Sequence, residues 1–174
     1  MKLGDGVEAA IHCAAMLAGV DGDGTLPGNA MAEAFGLSPS YLLKHLKALT
    51  AAKVLESVPG PNGGYRLARS ADRITLLDIV LAIEGREPAF RCGEIRQKGN
   101  YALEPAAYVK PCGINVAMLK AERAYRTALG ETRLSDIVAD FTANTDQRIV
   151  AASCAFVASN QRPQNTRPKT QARG

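Results

Sequence analysis

Gly36-Leu37-Ser38-Pro39-Ser40-Tyr41-Leu42-Leu43-Lys44-His45-Leu46-Lys47-Ala48-Leu49, followed after five residues by Leu55-Glu56-Ser57-Val58-Pro59-Gly60-Pro61-Asn62-Gly63-Gly64-Tyr65-Arg66-Leu67-Ala68, is the stretch on which the fold turns. Ser38 is a good N-cap and Pro39 suits a first helical position, so a helix is expected from there to about Lys53. Leu42, Leu46 and Leu49 fall on one face of it. Leu55–Val58 reads as a strand, residues 59–64 as a hairpin turn, and Tyr65–Ala68 as the returning strand.

Upstream, residues 5–19 carry Val7, Ala10, Ile11, Ala14 and Leu17 at helical spacing. Gly19–Gly24 reads as a turn, and a short helix is expected from Pro27 or Asn29 to Phe35, closed by Gly36. Downstream, Thr75 and Asp78 form a capping-box pair that starts a helix ending at Gly85. The order helix, short helix, capped helix, two-stranded ribbon predicts a mainly α fold with a small β-wing: a winged helix-turn-helix.

Residues 86–112 show no clear period and hold several Gly and Pro together with Cys92 and Cys112. A loop of that length inside a compact chain is usually functional or disordered. Residues 113–129 form a long helix in which Ile114, Met118, Ala121, Tyr125 and Ala128 are spaced as a coiled-coil seam, with Gly130 as its end. A shorter helix is expected over 134–141. The organisation expected is 1–85 as the DNA-binding unit, 86–112 as a ligand-bearing loop, 113–141 as dimerisation helices, and 142–174 as a C-terminal segment.

Charge is unevenly distributed. Ala158–Gly174 holds Arg162, Arg167, Lys169 and Arg173 with no acid, which equals the whole formal net charge of +4. Its Pro, Gln, Asn and Thr content predicts a disordered tail. Residues 36–70 carry Lys44, Lys47, Lys53, Arg66 and Arg69 against Glu56. A row of lysines is by itself an ordinary solvated helix face. Combined with a capped helix and a Gly-Gly hairpin, it points to DNA. Ser38, Ser40, Tyr41, Lys44 and His45 occupy the first two turns of the reading helix, where they could meet phosphates and base edges. His45 could equally be a plain surface imidazole. Asn62, Gly63 and Gly64 form the hairpin tip, where missing side chains would allow close approach to a duplex. No apolar run approaches a membrane span and no signal-peptide pattern opens the chain, so a cytoplasmic protein is expected. The 174 residues include four cysteines, which in the cytosol are more often thiols or ligands than disulfides.

Glu8 and His12 lie one helical turn apart and can share a face. With Cys92 and Cys112 they make four potential ligands, though a helix-dipole acid, a satisfied histidine and two inert or switching thiols are the plainer readings of the same residues. Cys13 is turned about 100° around the helix from His12, toward the core.

The Leu37–Leu42 and Leu46–Leu49 stretches, the Gly60–Ala68 hairpin, Ile74–Val80, Ala82–Gly85 and Leu134–Ile137 together resemble the IscR/NsrR/CymR family of bacterial winged-helix regulators, over about residues 1–141. The resemblance implies a homodimer, paired through the long helix, that reads a palindromic operator on double-stranded DNA and represses by family default. Two features depart from the family pattern: Pro59 stands where many members have Arg, and the loop holds two cysteines where cysteine-ligated members have three. A subgroup, the RsrR-like regulators, is matched instead by Glu8, His12, Cys92 and Cys112. That match implies a 2Fe-2S cluster held by Glu8 and His12 of one subunit and Cys92 and Cys112 of the other. The function expected is a redox-sensing transcriptional regulator. The alternatives are a cluster-free thiol/disulfide switch through Cys92 and Cys112, and, from another class, a zinc-dependent metalloenzyme.

Overall fold

A computed structural model of the protein describes residues 3–163. Its elements are α1 (Asp5–Leu17), α2 (Gly28–Ala34), α3 (Pro39–Ala51), β1 (Leu55–Val58), β2 (Gly64–Leu67), α4 (Leu76–Glu84), α5 (Gly113–Glu131), α6 (Leu134–Asn144) and α7 (Gln147–Asn160). β1 and β2 pair antiparallel, Leu55 opposite Leu67 and Val58 opposite Gly64. The fold is the expected winged helix-turn-helix with helices added behind it.

Local chemistry explains most boundaries. Gly36, at φ +61°, supplies the left-handed residue that ends α2, and the Leu37 amide reaches back to the Ala32 carbonyl (2.9 Å). Ser38 Oγ accepts from the Tyr41 amide at 3.3 Å, with Pro39 at the first helical position of α3. At the head of α4, Thr75 Oγ1 accepts from the Asp78 amide and Asp78 Oδ2 accepts from the Thr75 amide, a complete capping box. Arg69 fixes that carboxylate at 2.7 Å.

Three boundaries differ from expectation. α3 stops at Ala51, because Lys53 turns left-handed at φ +56°. α5 runs through Gly130 to Glu131. Gly130 packs beside Leu77 (3.5 Å from a Cβ position), so it serves α4–α5 contact instead of ending the helix. α6 continues past Phe141 to Asn144.

The core is built by α1, α2, α3 and α4 around Leu17, Met31, Leu42, Leu46, Leu49 and Ile79, all buried. Leu134 of α6 and Val157 of α7 belong to the same cluster, so the C-terminal helices complete the core of the DNA-reading unit. α7 was not among the expected elements. Ala158–Asn160 complete that helix, and Arg162 pairs with Thr25 through two backbone bonds of 3.0 and 2.8 Å, so order extends at least to residue 163 where a disordered tail was expected. Residues 164–174, the rest of that tail, lie outside the described residues.

Thr25 and Leu26 add a miniature third strand. Leu26 pairs with Tyr65 (2.9 and 2.8 Å) on one side, while Thr25 pairs with Arg162 on the other. The wing is therefore continuous with the protein's C-terminal segment. Among the described residues no helix is long and apolar enough to cross a membrane.

Candidate DNA interface and metal centre

α3 presents Ser40, Tyr41 and Lys44 outward from its first two turns, with Tyr41 37% exposed. Ser38 is also at the surface, but its hydroxyl is committed to the cap and lies 3.5 Å from Ser40 Oγ. His45 is different. It is 7% exposed, its ring lies beneath Gly6 of α1, and it meets Tyr41 edge-on at 4.7 Å. A Cβ on Gly6 would fall 2.3 Å from His45 Cε1, so α1 approaches α3 closely because residue 6 has no side chain. His45 is therefore no surface imidazole: it is a buried residue of the reading helix, packed against α1.

Burial, and then the neighbouring Lys44 charge, hold the His45 imidazole below its ordinary value of 6.5, and its buried Nε2 has no partner among the described residues. The folded state therefore favours neutral His45. The stability this provides is complete above pH 6.5 and declines as the pH falls below 6.5 toward the lower folded-state value, because the unfolded chain takes up the proton first. We expect the urea midpoint to drop between pH 7.5 and 5.5 in the native chain, and to drop less in His45→Leu. Equal drops would remove His45 as the cause.

The wing tip is shaped by close backbone contacts. Gly63 is buried, and a Cβ there would sit 2.2 Å from the Val58 carbonyl oxygen; at Gly64 it would sit 2.4 Å from the Leu26 carbonyl oxygen. Both missing side chains accommodate the protein's own backbone and so shape the wing. Asn62 is exposed, and its carbonyl accepts from Thr25 Oγ1 at 3.2 Å.

The basic zone is smaller than composition implied. Arg66 is drawn to Glu56 (3.0 Å) and Asp23 (3.4 Å), and Arg69 to Asp78. The cations left to the outer surface of α3 and its end are the exposed Lys44, Lys47 and Lys53.

On α1 the buried face is Val7, Ala10, Cys13, Ala14 and Leu17, which turns Glu8 and His12 to the surface. His12 stacks obliquely on Phe35, ring centres 5.4 Å apart. Cys13 is fully buried and its thiol is pushed up to about 12 by that burial, so it is a packing residue.

The two loop cysteines sit in a different environment. Cys112 is the N-cap of α5. The backbone amides of Asn115 and Ile114 at the head of the helix, and then the Arg96 charge, lower the pKa of its thiol and so favour the thiolate. Cys92 is exposed, and its charge as well as that of Cys112 acts on Arg96. Arg96 is itself held by Glu94 (2.5 Å) and lies over Tyr108 at 5.3 Å, while Tyr108 Oη donates to the Arg96 carbonyl. Sequence reasoning missed Arg96; nothing in its spacing marks it.

Among the described residues, no three His, Cys, Asp or Glu side chains of one protomer come together as a metal site. Glu8 and His12 share the outer face of α1, and Cys92 and Cys112 both act on Arg96.

Residues 3–140 match the Rrf2 family, described as iron-dependent transcriptional regulators, and the chain belongs to that family. It is 34% identical over 137 residues to YffB, a helix-turn-helix regulator of Lactococcus lactis, covering 79% of this chain and 86% of the relative. It is 35% identical over 71 residues to the regulator IscR of Sodalis glossinidius, covering 41% of this chain and 43% of the relative. In fold it is similar to T. potens IscR (TM-score 0.62, 22% identity, 87% of this chain and 96% of that one) and to CymR of B. subtilis (TM-score 0.61, 23% identity, 80% and 97%). The protein is thus a DNA-binding transcriptional regulator and not an enzyme, and the zinc-enzyme alternative falls.

Proposed function

We propose that the protein is a homodimeric, redox-responsive regulator whose affinity for a palindromic operator is set by a 2Fe-2S cluster. The observation that carries this reading is the separation of the four donors into two exposed or half-exposed pairs. Neither pair closes a metal site within a protomer, and a second copy could supply the other half.

The donor chemistry fits the group. Carboxylate and imidazole stand one turn apart on a solvent-facing helix, and the head of α5 lowers the pKa of the Cys112 thiol. Glu8 and His12 would hold one iron, and Cys92 and Cys112 the other. When bound, such a cluster supplies one-electron redox chemistry, and nitrogen or oxygen ligands in place of thiolates generally raise its potential. Arg96 places a positive charge near both cysteines and is among the causes that lower the Cys112 pKa.

The dimer rests on α5. None of its residues is buried, and Ile114 (67%), Val116 (48%) and Met118 (43%) stand exposed, with Ala121 and Ala128 also outward and Tyr125 half-buried. The neighbouring loop exposes Ile95, Tyr101, Leu103 and Val109 as well. Apolar surface on this scale, continuous with a coiled-coil spacing, suits a second copy. Repression is adopted as the family default.

A cluster-free Cys92–Cys112 switch is the second reading, favoured by the presence of both thiols in the field of Arg96. Absorption and electron paramagnetic resonance spectra of anaerobically purified protein, before and after dithionite, separate the two. Colour that bleaches with a spin-half signal supports the cluster. A colourless protein whose DNA affinity follows oxidant and dithiol supports the switch.

For the reading helix, Lys44→Ala is expected to weaken binding to any duplex several-fold and to reduce the salt dependence by about one unit per protomer. Unchanged affinity at moderate salt would remove Lys44 from the interface.

A further inference from the structure

The wing turn of residues 59–65 contains no basic side chain, and the one cation on β2, Arg66, is spent on Glu56 and Asp23. Yet a guanidinium stands at the tip. Arg162 Nη1 donates to the carbonyls of Pro61 (2.9 Å) and Gly63 (3.1 Å), reaching the turn from about a hundred residues downstream. Its backbone is fixed by the paired bonds to Thr25, and Thr25 Oγ1 fastens the same turn through Asn62.

We infer that Arg162 is the wing's DNA-contacting cation, supplied from the C-terminal segment; this rests on the DNA-binding reading and extends it to a residue outside the helix-turn-helix. The side chain is half-exposed, no carboxylate pairs with it among the described residues, and its Nε and Nη2 have no protein partner there. One nitrogen holds the turn, and the other two keep donors for phosphate oxygens. A wing flanks the reading helix and meets the backbone of the same duplex, where such contacts fix register without reading sequence.

The test uses the full chain, so that Arg167, Lys169 and Arg173 remain. A fluorescent duplex of about 30 base pairs and mixed sequence is titrated across a range of salt. Arg162→Gln is expected to weaken binding several-fold and to reduce the slope of log affinity against log salt by about one unit per protomer. Arg162→Lys keeps the charge and is expected to keep most of the slope. Thr25→Val loosens the turn without touching charge and is expected to leave the slope as it is. An unchanged slope in Arg162→Gln, even with weaker binding, reduces Arg162 to a wing anchor and overturns the inference. So does a loss in Thr25→Val equal to that in Arg162→Gln. A native chain that does not bind the duplex overturns the DNA-binding reading and Arg162 with it, whereas native binding that only Lys44→Ala disturbs overturns Arg162 alone.

Discussion

Gly64→Ala is expected to destabilise the protein by roughly 3 kcal/mol, the upper end for overpacking, and to remove specific DNA binding under conditions where the fold is marginal. The added Cβ would lie 2.4 Å from the Leu26 carbonyl oxygen and 2.7 Å from its carbon. Both are backbone atoms, so no rotamer change relieves the clash. Relief requires Leu26 to part from Tyr65, which breaks the pair of bonds that attaches the wing to the strand at residues 25–26. Each such bond contributes about 1 kcal/mol. For a domain whose total stability is ~5–15 kcal/mol, the loss is a large share. Gly99 meets no neighbour and has no positive φ, so Gly99→Ala is the matched control, expected within about 0.5 kcal/mol of the native chain. Urea midpoints of the two variants decide the matter. Equal midpoints would show that the wing does not depend on the close approach.

The second large effect concerns shared ligation. Cys112→Ala is expected to abolish visible colour, because it removes the sulfur that the α5 amides and Arg96 favour as a thiolate. Mixing variants tests the division between subunits. A protomer lacking both Glu8 and His12, paired with a protomer lacking both Cys92 and Cys112, contains one complete set of donors if the site spans the dimer and none if it lies within a chain. Refolded heterodimers are therefore expected to regain about half the native iron, one site of two, while each doubly substituted homodimer stays colourless. No recovery in verified heterodimers would overturn shared ligation.

What was legible in the sequence was local. Ser38-Pro39, the Thr75–Asp78 pair and Gly36 act through bonds spanning a few residues, so composition alone betrays them. The exposure of Glu8 and His12 likewise follows from the period of α1. What was hidden depends on distant partners. His45 has the same spacing whether it faces DNA or α1, and only the absence of a side chain at Gly6 lets α1 close over it. Gly63 and Gly64 look like any flexible tip until Val58 and Leu26 are in place. Thr25 and Arg162 each belong to segments too short to carry a strand pattern, and their pairing joins positions 137 apart.

That last pairing sets an order of events during synthesis. The helix-turn-helix and the hairpin are complete by residue 68, but the edge that holds Thr25 and the turn arrives only with residue 162. Domains generally begin folding as they leave the ribosome, amino-terminal parts first. Here a nascent chain stopped before residue 162 would carry a reading helix whose wing still lacks its far edge.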